Sequence, residues 1–188
     1  VMRRMGAMAE LAAKAGVIGL IRFLPETGAP EAWGIALTAA GFVTACWGVA
    51  AGLTQRNPKT VLAYSSVSQM GVVAAVIGMG IVLPVEGTSL HAAFYAAHHV
   101  LAKGALFLAV GVALASGPRA RVLVVPLALV LALGFGGLPP TGGALAKAAV
   151  KDELGAGIVA TFAALSAMGS TMLMLHFVNR VVAVAGQE

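Results

Sequence analysis

The sequence predicts an all-α integral membrane protein, and three observations lead to this fold class. Of the 188 residues, 60% are hydrophobic and only 10% are charged, whereas about a quarter of the residues in a soluble domain are charged. Several stretches reach the roughly 20 apolar residues that a helix needs to cross a bilayer. The 24 glycines suit helices in lipid, where small residues let backbones approach closely. This composition excludes a water-soluble globular protein and a disordered chain.

Six segments are predicted to cross the membrane, the first of them short and carrying charges and the second free of charge. The third begins just after Asn57-Pro58 and ends before Pro84, which suits a proline near the start of a helix and another just beyond its end. In chain order the segments are Met8–Leu24, Ala32–Leu53, Thr60–Leu83, Leu90–Ala115, Val122–Leu138 and Gly155–Val182.

The fifth segment is predicted to be a broken helix. It meets Pro139-Pro140 and the glycines that follow, and proline cannot continue a helix. A helical pattern then resumes over Ala144–Leu154. Irregular backbone at membrane depth is tolerated only where it is buried in protein or lines a cavity. Lys147, just beyond the break, is therefore a candidate functional residue.

Basic connections alternate with acidic or mixed ones along the chain. Cytoplasmic loops carry the excess of lysine and arginine, so this alternation predicts an even number of spans with both termini in the cytoplasm, in a bacterial inner membrane. The excess of 12 basic residues over 7 acidic ones is therefore interpreted through the charges of these connections, not as a sign of nucleic-acid binding. The basic group is Arg3, Arg4, Arg56, Lys59, Arg119, Arg121 and Arg180, and the acidic or mixed group is Glu26, Glu31, Glu86 and Lys151-Asp152-Glu153.

The fourth segment carries a stripe of titratable side chains. His91, Tyr95, His99 and Lys103 recur every four residues and, with His98, fall within an arc of roughly 140° on one helix face. At 1.5 Å per residue the stripe rises about 18 Å. Proton-exchanging groups at one-turn intervals are typical of proton relays in pumps. The alternative is that these polar groups only fix helix packing.

Lys14 in the first segment also has two interpretations. A lysine inside a span is a functional candidate because its insertion is costly. Glu10 lies four residues earlier, however, and such a spacing also permits an ordinary ion pair on a helix surface.

Four motifs follow one another along the chain: KAGVIGLIR at 14–22, KTVLAYSSVSQMG at 59–71, HVLAKGALFL at 99–108 and GLPPTGGALAK at 137–147. Together they resemble the antiporter-like membrane subunits of respiratory complex I, which are related to Mrp-type antiporters and membrane hydrogenases. The third motif resembles the family's histidine-to-lysine helix, and the fourth its broken helix, with Lys147 eight residues after Pro139.

The resemblance implies inverted five-helix repeats with a central line of lysines and histidines that carries protons. Residues 32–182 would then be one complete repeat, residues 1–31 the last helix of a truncated first repeat, and residues 183–188 a tail. The upstream helices, which carry a glutamate paired with a lysine in the family, would be missing. The implied pathway is Lys14, His99, Lys103 and Lys147, with His91, Tyr95, His98, Lys151 and Glu10 as possible further members.

Two positions depart from the family pattern. Tyr95 occupies a position where some relatives have histidine. Lys151 competes with Lys147 as the lysine of the broken helix, because an Asp-Glu-Leu sequence follows Lys151, whereas the spacing from the prolines favours Lys147.

The expected function is proton translocation as the antiporter-like subunit of a complex I-like NADH:quinone oxidoreductase. The alternatives are a subunit of an Mrp-type sodium/proton antiporter or membrane-bound hydrogenase, and a scaffold that transports nothing. With one cysteine, Cys46, and no nucleotide fingerprint, the chain is expected to hold no cofactor or metal. Iron–sulphur clusters, flavin and quinone are expected in partner subunits. The expected partners are the bilayer, other membrane and peripheral subunits, and the missing N-terminal helices.

Overall fold

The computed structural model describes residues 15–24, 28–83, 85–115, 118–137, 139–155 and 157–185. These residues form eight helices and no strand, so the predicted all-α class is confirmed. The helices are α1 (15–23), α2 (Glu31–Leu53), α3 (Pro58–Val82), α4 (Thr88–Ala115), α5 (Pro118–Gly136), α6 (Gly142–Ala149), α7 (Lys151–Leu154) and α8 (Gly157–Ala185).

Four of these helices are long and apolar enough to cross a membrane, in agreement with an integral membrane protein. They are α2, α3, α4 over Thr88–Ala113 and α8 over Gly157–Ala183. Within α5, Val122–Gly136 is a shorter apolar helix. Of the predicted first span only residues 15–24 are described, so Lys14 and Glu10 lie outside the described residues.

Helices α2 and α3 pack through glycines that bring their backbones into direct contact. A Cβ atom added at Gly41 would lie 2.5 Å from the Gly71 carbonyl oxygen, and one added at Gly71 would lie 2.5 Å from the Gly41 carbonyl oxygen. Gly34 and Gly48, seven residues to either side of Gly41, approach α3 just as closely. Small residues permit this approach in helices that gain nothing by hydrophobic association. The pairing fixes α3, against which α4, α7 and α8 pack.

Polar residues form a layer between two apolar clusters of the bundle. One cluster contains residues 72–79 of α3 with Ala92 and Tyr95 of α4, and the other contains Val61 and Leu62 with residues 106–113 of α4. The chain between them carries the buried polar side chains Ser65, Ser66, Ser68, Gln69, His99 and Lys103. The fold therefore holds His99 and Lys103 in the middle of the bundle.

The predicted helix break is present, but the piece beyond it differs from the prediction. Helix α5 ends at Gly136 and α6 begins at Gly142. The expected continuous segment over 144–154 is divided, because Val150 leaves the helical region with φ −103° and ψ 12°. The end of that segment, which includes the mixed charged connection expected at 151–153, forms the separate helical turn α7 over Lys151–Leu154. Val150 and Leu154 pack into the first apolar cluster, which draws this turn into the bundle.

Candidate proton pathway

Lys103 is completely buried in the middle of the bundle. Its side chain has no solvent-exposed surface, and its Nζ donates a hydrogen bond of 2.8 Å to the Leu62 carbonyl oxygen of α3. The ammonium also lies 5.4 Å from the ring centre of Phe135, a distance at which an aromatic face attracts a cation. A buried charge is costly unless it is paired and hydrogen-bonded, and these two contacts offset part of that cost.

Phe135, in the last turn of α5, contacts both neighbouring histidines of α4. His99 is 1% exposed, and its ring stands edge-on to Phe135 at 5.1 Å between ring centres. The His98 ring lies 6.0 Å from Phe135. The Phe135 ring therefore contacts Lys103, His98 and His99 at the end of α5. Sequence reasoning missed Phe135, although an aromatic residue directly before the break was a usable signal.

Lys147 is held by the broken end of α5. Its Nζ donates a hydrogen bond of 2.6 Å to the carbonyl oxygen of Gly136. The last carbonyls of a helix have no partner within the helix and carry the negative end of its dipole. The break therefore supplies an acceptor for this ammonium.

Gly143 allows α6 to approach α5 closely enough for the hydrogen bond from Lys147 to Gly136. A Cβ atom at Gly143 would overlap the Gly134 carbonyl oxygen of α5. The absence of a side chain at this position thus sets the separation between the two parts of the broken helix.

A chain of hydrogen bonds connects α4, α3 and α8 beside the histidines. The Tyr95 hydroxyl donates to Oε1 of Gln69 at 2.5 Å, and Nε2 of Gln69 donates to Oγ of Ser170 at 2.6 Å. Ser170 in turn donates to the Ser166 carbonyl oxygen at 2.9 Å. Gln69 lies in a motif that the resemblance used, but it was not predicted as a site residue. An amide beside three serines within a membrane span was the signal available.

Two cavities adjoin this chain of hydrogen bonds. The smaller, of about 10 Å³, has room for on the order of one water molecule. The larger, of about 260 Å³, has room for several. Gln69, Tyr95 and Lys147 line both and so separate them. The smaller cavity is also lined by His98, His99, Phe135, Gly143 and Ala146, and the larger by Lys151, Ser166 and Ser170 among others.

His91 lies within hydrogen-bonding distance of a buried carboxylate at the first turn of α4. Its Nδ1 lies 2.7 Å from Oε1 of Glu153 on α7. The Glu153 side chain has no exposed surface, whereas that of His91 is 32% exposed. From the sequence, Glu153 was placed at the end of the helical pattern over 144–154 and in the mixed charged connection at 151–153, and no partner was predicted for it. The burial of Leu154 beside it is what draws this turn inward.

The structure brings most of the predicted site residues together. Tyr95, His98, His99 and Lys147 line the smaller cavity, and Lys103 shares Phe135 with the histidines. The remaining candidates lie further out or are not described: His91 pairs with Glu153, Lys151 is exposed and lines the larger cavity, and Lys14 and Glu10 lie outside the described residues. Their roles in proton transfer stay predictions.

These features define a helical membrane protein with titratable side chains and cavities in its interior. Residues 6–174 match the model of the family described as NADH:quinone oxidoreductase/Mrp antiporter, TM. The match covers well over half of the chain, which therefore belongs to this family, as the four motifs predicted.

Individual relatives include two kinds of membrane protein. The chain is 30% identical over 155 residues to a Na(+)/H(+) antiporter subunit of Alkalihalophilus pseudofirmus, an alignment that covers 71% of this chain and 19% of the relative. It is 32% identical over 154 residues to a Na(+)/H(+) antiporter subunit of Staphylococcus saprophyticus, with the same coverage. Against Hydrogenase-4 component B of Escherichia coli the identity is 33% over 119 residues, covering 55% of this chain and 17% of the relative.

The chain thus spans about a fifth of the length of these relatives. No solved structure matches it significantly.

Proposed function

We propose that this chain is part of a proton-translocating, antiporter-like membrane subunit, in which protons pass between Lys103 and Lys147 through His99 and enclosed water. The observation that carries the proposal is the burial of Lys103 in one polar layer with His99, next to a cavity that Lys147 lines. Intramembrane lysines and histidines that face a bundle interior are the groups from which proton relays are built.

The chemistry of these side chains suits stepwise transfer. Desolvation disfavours the charged form of a buried lysine, and a nearby carboxylate favours it, so a change in a partner's charge switches the affinity of the lysine for a proton. Neutral imidazole accepts a proton on one nitrogen and donates from the other, which makes His99 a bridge. A water in the smaller cavity would link His99 and His98 to Lys147.

Tyr95 and Gln69 have a different role in this proposal. The amide of Gln69 is a hydrogen-bonding group and no proton carrier, so it fixes the Tyr95 hydroxyl and separates the two cavities. Water in the larger cavity, which Lys147 and Lys151 line, would connect the relay with the surface. Lys14, four residues after Glu10 in the sequence, would connect this half of the pathway with the carboxylate partner that the resemblance to the family implies.

The assembly that contains the subunit has two candidates. One is a complex I-like or hydrogenase-like complex whose iron–sulphur clusters, flavin and quinone site belong to other chains, since one cysteine cannot supply the thiolates of a cluster. The other is an Mrp-type sodium/proton antiporter, which is favoured by two relatives whose names denote Na(+)/H(+) antiporter subunits. Co-purification of iron–sulphur subunits with the native protein supports the first, and sodium-dependent proton flux without such subunits supports the second.

The proposed topology is six spans in a bacterial inner membrane, with both termini in the cytoplasm and residues 32–182 forming one five-helix repeat. The charge alternation of the connections supports this arrangement. Reporter fusions test it: a cytoplasmic reporter should be active after residue 188 and inactive after Glu86. The reverse pattern would contradict the topology.

Substitution of the two lysines tests the function. In the assembled complex, reconstituted into vesicles, Lys103→Met and Lys147→Met should each abolish coupled proton transfer without preventing assembly. Lys59→Met, which changes a partly exposed lysine at the α2–α3 turn, is the matched control and should transfer protons normally. Normal proton transfer in both Lys103→Met and Lys147→Met would contradict the proposal and favour the alternative that the subunit is a scaffold that transports nothing.

A further inference from the structure

The contact between His91 and Glu153 joins a partly exposed imidazole to a fully buried carboxylate. Nδ1 and Oε1 are 2.7 Å apart, a hydrogen-bonding distance. The other carboxylate oxygen, Oε2, is buried and has no hydrogen-bond partner within the described residues. The other ring nitrogen of His91 lies towards the exposed turn at Gly87, where an added Cβ atom would be 3.7 Å from Nε2. Nδ1 and Oε1 therefore form the contact, while Nε2 of His91 and Oε2 of Glu153 lie outside it.

Few other described charges are near this pair. On α7 itself Lys151 and Asp152 are both exposed, and Lys147 of α6 is bonded to Gly136. Glu86, before α4, is exposed. The charged residues of α3 and α8, Lys59 and Arg180, each lie 23 residues along the helix from the end next to the pair, about 35 Å at 1.5 Å per residue.

The pair also lies in line with the proposed pathway. His91 precedes Tyr95 by one turn on the helix face that continues to His99. On α7 the residues next to the pair, Lys151 and Leu154, line the larger cavity together with Tyr95. The pair thus lies beside residues that line the larger cavity, without lining the cavity itself.

We infer that Glu153 and His91 form a terminal proton-exchange site of the subunit, an inference that rests on the proposed function. Starting from a carboxylate and a neutral imidazole protonated at Nδ1, His91 takes a proton from water at Nε2, and the Nδ1 proton passes to Oε1 of Glu153. The products are a neutral carboxyl group and a neutral imidazole protonated at Nε2. The charge of the pair changes from −1 to 0, and the carboxyl proton is then available to the interior.

The test compares Glu153→Gln with Asp152→Asn, a matched change at the exposed neighbour on the same turn. In the native complex reconstituted into vesicles, Glu153→Gln should reduce proton flux about a hundredfold or more, the scale of a lost acid–base group, and Asp152→Asn should leave it unchanged. Infrared difference spectra recorded between low and high pH should contain a protonated-carboxyl band that disappears in Glu153→Gln and persists in Asp152→Asn.

A double variant separates proton exchange from a structural role. Glu153→Gln with His91→Gln removes both titratable groups and leaves no lone charge buried, so its flux should stay low if the pair exchanges protons. Recovery of normal flux in the double variant, or persistence of the carboxyl band in Glu153→Gln, would overturn the inference. If Lys103→Met stops transfer while Glu153→Gln does not, only this inference fails. If neither variant affects transfer, the proposed function fails as well.

Discussion

Gly143 marks the closest approach between the two parts of the broken helix, and its replacement by alanine tests whether this geometry holds Lys147 in place. The added Cβ would overlap the Gly134 carbonyl oxygen, so α6 must move away from α5 by on the order of 1 Å to restore van der Waals contact. The bond from Lys147 to Gly136, now 2.6 Å, would then stretch to about 3.6 Å, which is no longer a hydrogen bond.

Two magnitudes follow from this displacement. A hydrogen bond to a charged group contributes about 1.5–3 kcal/mol, and overpacking costs about 1–3 kcal/mol, so we expect a stability loss of a few kcal/mol. For transport, a misplacement of about 1 Å reduces a position-dependent reaction by on the order of a hundredfold. We therefore expect Gly143→Ala to lose most of its proton flux, although position 143 carries no proton itself.

The assay is proton flux in vesicles that contain the complete native complex, with thermal unfolding followed in parallel. Gly104→Ala is the matched control, because an added Cβ at this α4 position meets no atom within 4 Å and lies next to Lys103. It should retain normal flux and stability. Normal flux in a stably assembled Gly143→Ala complex would refute the argument that the backbone break positions Lys147.

Three further outcomes are expected. Lys103→Met should change stability by no more than about 2 kcal/mol in thermal unfolding, since the lost contacts are offset by the removed desolvation cost of a buried charge; severe unfolding would show that the lysine is needed for packing. Gln69→Leu should leave the Tyr95 hydroxyl without its acceptor and cost about 1–3 kcal/mol, with reduced flux; wild-type values of both would contradict this. Gly41→Leu should prevent assembly, measured as loss of the intact complex from detergent extracts, because α2 and α3 touch through their backbones; normal assembly would show that the two helices can separate.

Features that depend on local sequence were predictable. The four-residue spacing of Tyr95, His99 and Lys103 puts them on one helix face, and the same three residues are buried together, because lipid cannot solvate them. The break after α5 follows from the chemistry of proline, which affects only its neighbours. The choice of Lys147 by its spacing from Pro139 agrees with a position that lines both cavities, whereas Lys151 lines only the larger one.

Features that depend on contacts between distant segments were not predictable. Gln69 bonds to Ser170, 101 residues away along the chain, and to Tyr95, 26 residues away. Glu153 meets His91 across 62 residues. The spacing of residues within one helix cannot predict such pairs, because they form only when α3, α4, α7 and α8 pack together. The composition of the charged run at 151–153 predicted a connection outside the bundle. Leu154, the next residue, packs into the first apolar cluster, and Glu153 is buried with it.

The most direct measurement is a structure of the full-length protein in its native complex at a resolution that shows ordered water, by electron cryomicroscopy. The account predicts water between the Gln69–Tyr95 pair and Lys147, with the ammonium groups of Lys103 and Lys147 turned into the bundle. Dry, filled space between these side chains, or a lysine turned towards lipid, would contradict it.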